Sequence, residues 1–223
     1  MTVLVVAAHP DDEVLGCGGT MAKLAAAGHD VHVAILGEGI TSRYDRREEA
    51  PADEIAALPG LESLSFGLMD FVSDHRGAVP ASAMSVKGQF SHPLVVRAKL
   101  EISAACHAAG ITPSHCVVTE FKDSRALSEA AEKATRELGY TRMWSIHPDQ
   151  IPVIVEAFAP VTAEVDDAIE ILTAAQAAHW APTAHRKVLH DRASYRHYWH
   201  VLERAWLTGQ PLPADIEEAF FGA

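Results

Sequence analysis

Short runs rich in β-branched residues alternate with longer segments of helical period that stop at glycine, and no other feature restricts the fold of this chain as tightly. The stretch "TVLVVAAH" predicts a buried strand, "GTMAKLAAAG" a helix closed by Gly28, and "DVHVAILG" a second strand. "REEAPADEIAALPG" predicts a helix ending at Pro59 and Gly60, and "LESLSFGL" a third strand. A loop rich in Ser, Gly and Pro is expected from Met69 to about His92, and it is the natural place for a hinge. "PLVVRAKLEISAACHAAG" then predicts a long amphipathic helix and "SHCVVTEF" a fourth strand. "DSRALSEAAEKATRELG" predicts a helix capped by Asp123 or Ser124, and "TRMWSIH" a fifth strand. Strand, helix and strand in regular succession call for parallel α/β structure. The expected architecture is a five-stranded, mostly parallel sheet, open and Rossmann-like, with a partial (β/α) barrel as the alternative.

Beyond Pro148 the pattern changes. Three segments, "DQIPVIVEAFAP", "TAEVDDAIEILTAAQAAHW" and "HRKVLHDRASYRHYWHVLERAWLTG", predict helices with no strands between them. Trp180, Tyr195, Tyr198, Trp199 and Trp206 gather there, the composition of a surface that packs on the sheet or on a second subunit. The division expected is an α/β domain over residues 1–150 and a helical extension over 151–223, with a homo-oligomer formed through the carboxyl-terminal helices.

Composition narrows the partners. A formal charge of −12 over 223 residues argues against a nucleic-acid surface, which needs a basic stripe. Three cysteines without C-x-x-C spacing suggest neither a disulfide frame nor a thiolate zinc site, so a reducing cytoplasm is expected. The apolar opening lacks a basic leader, and no apolar run reaches the roughly 18 residues that span a bilayer.

Chemistry concentrates just after the first strand. His9 and Asp12, three residues apart on one bend, can hold a single divalent ion, leaving Asp11 to accept a proton from a metal-bound water. A histidine in the donor set points to zinc, whereas an oxygen-only set points to magnesium. Glycines at 16, 18 and 19 leave backbone N–H groups free to face an anionic ligand. The competing reading of the same residues is an N-cap cluster at the start of a helix.

The stretch "AHPDDEVLGCGGTMAKLAAAGHDVHVAILGEGITSRYDRREEA" closely resembles the start of the PIG-L (LmbE-like) family of zinc-dependent de-N-acetylases. That resemblance covers residues 1–57 and implies His9 and Asp12 as zinc ligands, Asp11 as general base and Arg43 near the substrate. It also implies an N-acetylated, sugar-like small molecule as substrate. The family's further histidine ligand, after the fourth strand, has no counterpart in "VVTEFKDSR"; Glu120, Asp123, His75 and His147 are the candidates to replace it.

From about Asp53 onward the chain resembles the carboxyl-terminal part of the HpcH/HpaI aldolase and citrate lyase beta-like family. "FGLMDF" and "SIHPDQI" carry the likeness. These are (β/α) barrels that use magnesium to make or break carbon–carbon bonds in acyl-CoA esters. The likeness implies Asp70 as a magnesium ligand, while the family's earlier arginine and glutamate have no counterpart here. The two likenesses meet near "ADEIAAL", so the sequence is that of a hybrid. Three functions stay open on these residues: a zinc-dependent de-N-acetylase, a magnesium-dependent lyase acting on CoA esters, and a folded chain without catalysis.

Overall fold

The computed structural model describes residues 2–7, 20–35, 51–120 and 122–222. The chain divides into two compact units, Met1–Ala157 and Phe158–Ala223.

In the first unit, β1 (Thr2–Ala7) pairs in parallel with β2 (Asp30–Ile35), Thr2 lying opposite Asp30 and Ala7 opposite Ile35. Parallel neighbours need a crossover, and the helix over residues 20–26, α1, lies between them in the chain. A second parallel ladder has the order β3 (Ser63–Ser65), β4 (Thr112–His115), β5 (Arg142–Met143). The five expected strands therefore exist, and among the described residues they form two parallel ladders of two and three strands.

Helices α2 (Ala52–Ala56), α3 (Leu68–Asp74), α4 (Pro93–Ala109) and α5 (Ser124–Arg136) link the strands, and α6 (Gln150–Phe158) follows β5. α4 matches its expected bounds within a residue because proline at its first position pre-sets the helical φ and Gly110, at φ 71°, ends it in the left-handed region. The N–H of Ile111 then bonds Cys106 O at 2.9 Å, closing the last turn. α5 starts where Asp123 Oδ1 accepts the N–H of Ala126 at 3.0 Å, which settles its cap on Asp123.

Two expectations fail in this unit. The segment expected as a loop from Met69 holds α3 and two 3₁₀ turns, Ala81–Met84 and Gly88–Phe90. Its apolar residues explain the difference: Leu68, Val72, Val79 and Ala83 are buried with Phe66, Val95, Ala98 and Cys116 in one core. Serine and proline mark the turns of this segment, but its aliphatic residues decide where it goes. The fourth strand is set earlier than expected, at Thr112–His115, with the buried Pro113 inside it.

β5 is only two residues long, yet its pairing with the β4 strand is prolonged by a side chain. Gln150 is fully buried; its Nε2 donates to Val118 O at 3.0 Å and its Oε1 accepts from Ile146 N at 2.9 Å. One amide thus supplies the donor and the acceptor that a peptide group would supply between two strands.

The second unit is built on α7 (Thr162–Ala177), α8 (Arg192–Leu207) and α9 (Ala214–Phe221). Val165, Ala168, Ile171, Leu172 and Ala175 of α7 bury against Tyr195, Val201, Leu202 and Ala205 of α8 and Ile216 of α9. Asp191 caps α8, accepting from Ala193 N while Ser194 Oγ accepts the N–H of Asp191. The all-helical expectation is overturned here, because Thr183–His185 (β6) and Val188–His190 (β7) form an antiparallel hairpin. Its two-residue loop, Arg186 and Lys187, has φ of 47° and 67°, the conformation of a type I′ turn. Asparagine and glycine ordinarily announce that turn, and neither is present.

Candidate functional site

The residues that the PIG-L resemblance selects, His9, Asp11, Asp12 and Arg43, lie outside the described residues. The described part of the first unit carries the other candidates, and it arranges them by strand direction. β3, β4 and β5 are parallel, so the residues that follow them all lie beyond their carboxyl ends, where ligands of α/β sheets collect.

Asp70 follows β3. It is exposed and stands in the first turn of α3, whose N-cap is Gly67. A Cβ built at Gly67 would meet Asp70 Oδ2 at 3.0 Å, so the carboxylate folds back over the start of its own helix. That position suits a negative charge, since unsatisfied N–H groups point there. Glu120 follows β4; its Oε1 accepts from Val86 N at 3.5 Å and its Oε2 from Thr119 Oγ1 at 3.3 Å. Asp123 is committed to capping α5. His147 follows β5, and its Nδ1 accepts the N–H of Asp149 at 3.2 Å. His75 ends α3, where its Nδ1 bonds Phe71 O.

These groups do not converge. No set of three His, Cys, Asp or Glu side chains able to hold a metal ion occurs among the described residues. The donor chemistry of Asp70 nevertheless fits magnesium, which takes one or two carboxylate oxygens and fills its remaining positions with water and substrate. Thr119, Glu120, Lys122, Asp123, Ser124 and Arg125 line a shallow depression at the start of α5.

The most perturbed group of side chains is a different one. Lys99 on α4 is fully buried. Its Nζ donates to Gln89 Oε1 at 2.6 Å and to His115 Nε2 at 2.8 Å, and lies 4.3 Å from the centre of the Phe90 ring. His115 Nδ1 faces Cys116 O at 3.0 Å; a carbonyl can only accept, so Nδ1 carries the hydrogen and Nε2 offers its lone pair to Lys99. Cys116 Sγ donates to the same Gln89 oxygen at 3.2 Å, and Tyr140 Oη donates to Lys99 O at 2.9 Å. His115 stacks on Phe90 and meets Tyr140 edge-on.

Burial dominates the electrostatics of this network. It lowers Lys99 from 10.5 to about 8 against the opposing pull of Cys116. Burial and then the Lys99 charge lower His115 from 6.5 to about 3, so the imidazole is neutral. Burial raises the Cys116 thiol.

On sequence alone, Arg97 and Lys99 pass for a solvated pair or a phosphate contact. Arg97 is exposed beside Glu101 at 3.6 Å, whereas Lys99 points inward. The spacing does carry the signal: Val95, Lys99, Ser103 and Cys106 fall on one buried stripe of α4.

Comparison with known proteins fits both halves of the sequence pattern. Residues 4–160 match the PIG-L family, described as GlcNAc-PI de-N-acetylase. Over 56 residues the chain is 46% identical to a 1D-myo-inositol 2-acetamido-2-deoxy-alpha-D-glucopyranoside deacetylase of Rhodococcus opacus, covering 25% of this chain and 17% of that protein. Over 160 residues it is 32% identical to the L-malyl-CoA/beta-methylmalyl-CoA lyase of Rhodobacter capsulatus, covering 66% of this chain and 50% of that enzyme. The crystal structure of a citrate lyase from Burkholderia xenovorans superposes with a TM-score of 0.65 at 48% identity, over 98% of this chain and 67% of that one. The chain belongs to both families as a hybrid. The hybrid spans half the length of the curated lyase it matches. Among its described residues, no helix is long and apolar enough to cross a membrane.

Proposed function

We propose that the hybrid works as the carboxyl-proximal part of a magnesium-dependent carbon–carbon lyase acting on acyl-CoA esters, with Asp70 as its metal-binding carboxylate. The observation that carries this reading is the position of Asp70, exposed beyond the carboxyl end of β3 in a chain 48% identical to a citrate lyase. Magnesium, when bound, would polarise the carbonyl oxygen on which charge develops as the carbon–carbon bond breaks. Asp70 would hold the ion, with water and substrate filling its remaining positions. The architecture that suits this function makes β3, β4 and β5 the closing strands of a (β/α) barrel completed by a second copy through the carboxyl-terminal helices. An open five-stranded sheet is the alternative. Small CoA esters in the cytoplasm are the corresponding substrates.

A second reading rests on a separate observation, the PIG-L match over residues 4–160. Here His9 and Asp12 hold zinc, Asp11 is the base, Arg43 contacts the substrate, and an N-acetylated sugar-like molecule is deacetylated.

One pair of assays separates the two. Purified protein supplied with magnesium is tested for acetyl-CoA release from malyl-CoA, and supplied with zinc for acetate release from an N-acetylglucosaminyl inositol. The lyase reading expects the first activity, and Asp70→Ala to reduce it by at least about 100-fold while His9→Ala leaves it intact. Acetate release sensitive to His9→Ala, with no cleavage of malyl-CoA, overturns the lyase reading in favour of the hydrolase.

A further inference from the structure

The Lys99 amine and the Cys116 thiol occupy one buried pocket of the network and meet on a single acceptor. Nζ lies 2.6 Å and Sγ 3.2 Å from the same atom, Gln89 Oε1, and the two groups are close enough for each to act on the charge of the other. Lys99 lies in the middle of α4 and Cys116 just beyond β4, so a bond between them would add a second tie between elements that follow one another in the chain and already share the Lys99–His115 hydrogen bond. Both are sealed: Lys99 is 0% and Cys116 2% exposed. Neither has a part in the proposed lyase or hydrolase chemistry.

We propose that Lys99 and Cys116 form a reversible covalent cross-link, Nζ–O–Sγ, when the protein meets dioxygen. The amine and thiol each give up one hydrogen, as the N–H and S–H bonds break and N–O and O–S bonds form. Dioxygen is the four-electron oxidant; one of its atoms stays in the bridge and the other leaves as water with the two hydrogens. Before the step, the ammonium proton has an acceptor in place, His115 Nε2 at 2.8 Å. Burial supports the chemistry independently, because it lowers Lys99 to about 8 and so makes the neutral, nucleophilic amine accessible close to neutrality. Burial also keeps the thiol from larger partners, so the amine is the group within reach. The bridge ties α4 to β4 and fixes Gln89, which belongs to the turn preceding α4.

The test uses the full chain held under nitrogen, under air and under air followed by a thiol reductant. Under air the intact mass is expected to rise by about 14 Da, one oxygen gained and two hydrogens lost, and to return to its starting value on reduction. Peptide mapping should join the fragments holding Lys99 and Cys116, and Lys99→Arg should abolish the gain. Return on reduction distinguishes the bridge from methylation of lysine, which adds a similar mass and persists. An aerobic chain of unchanged mass overturns the proposal, as does Cys116 oxidised to a sulfinic acid without a cross-link, or a link through Cys106. The comparison between nitrogen and air needs no variant, so a failure of Lys99→Arg to fold does not blunt it.

Discussion

Replacing His115 by glutamine should make the first unit less sensitive to acid. In the native protein His115 is lowered from 6.5 to about 3. A group that takes up a proton less readily when folded contributes fully above about pH 6.5 and loses its contribution as pH falls through 6.5 toward 3. Between about pH 7 and pH 4.5, linkage across that span removes on the order of 2–3 kcal/mol. Glutamine cannot titrate, and its Oε1 can accept from Lys99 in place of Nε2. The substitution leaves every carboxylate in place, so the difference between the two proteins isolates the imidazole. Amide hydrogen exchange of α4 and β4 at the two pH values, read by mass spectrometry, measures the effect in the first unit without averaging over the second. Parallel loss of protection in native and His115→Gln protein would refute the reasoning, for it would mean that the imidazole charges as easily folded as free.

Three further perturbations have defined outcomes. Lys99→Met removes the charge that, after burial, holds His115 down; the folded protein then takes up the proton more readily, the gap from the unfolded value narrows, and the loss of protection in α4 and β4 between about pH 7 and pH 4.5 should be smaller than in the native protein, again read by exchange. Leu202→Ala hollows the core of the second unit, where the side chain is fully buried, and should cost about 2–5 kcal/mol in denaturant unfolding confined to that unit. Gly110→Ala places a Cβ at φ 71° and should destabilise α4 by about 1 kcal/mol, seen as a lower unfolding midpoint with unchanged slope.

Where a boundary depended on local chemistry it could be read directly. Proline before "LVVRAKLEISAACHAA", glycine after it, and Asp123 ahead of a helical run each act through one or two residues, and α4 and α5 begin and end accordingly. α3 was hidden because its drive is burial of Leu68 and Val72 in a core assembled from distant segments, while the local composition favours turns. The β6–β7 hairpin was hidden because Arg186 and Lys187 adopt positive φ without the residues that usually do so. Asp70 was legible as a residue following the third strand, but not as part of a helix: it stands in the first turn of α3. The network around Lys99 was legible only as a charged residue interrupting a buried stripe, since its partners Gln89, His115, Cys116 and Tyr140 are scattered from position 89 to position 140.

The amide of Gln150 gives the loop after β5 an unusual independence. A continuous strand fixes every residue along it to one register, so a change in length anywhere propagates to all the rest. Here the tie between Val118 and Ile146 runs through a detachable arm reaching in from α6, not through neighbouring backbone. Side chains of the segment carrying His147 can therefore be exchanged while the ladder beneath keeps its alignment, provided the segment keeps its length, since Gln150 N donates to His147 O at 3.0 Å, and the arm remains an amide. Glutamate at this position would offer acceptors to both sides and unzip the tie, which makes Gln150 the residue to preserve when the loop is redesigned.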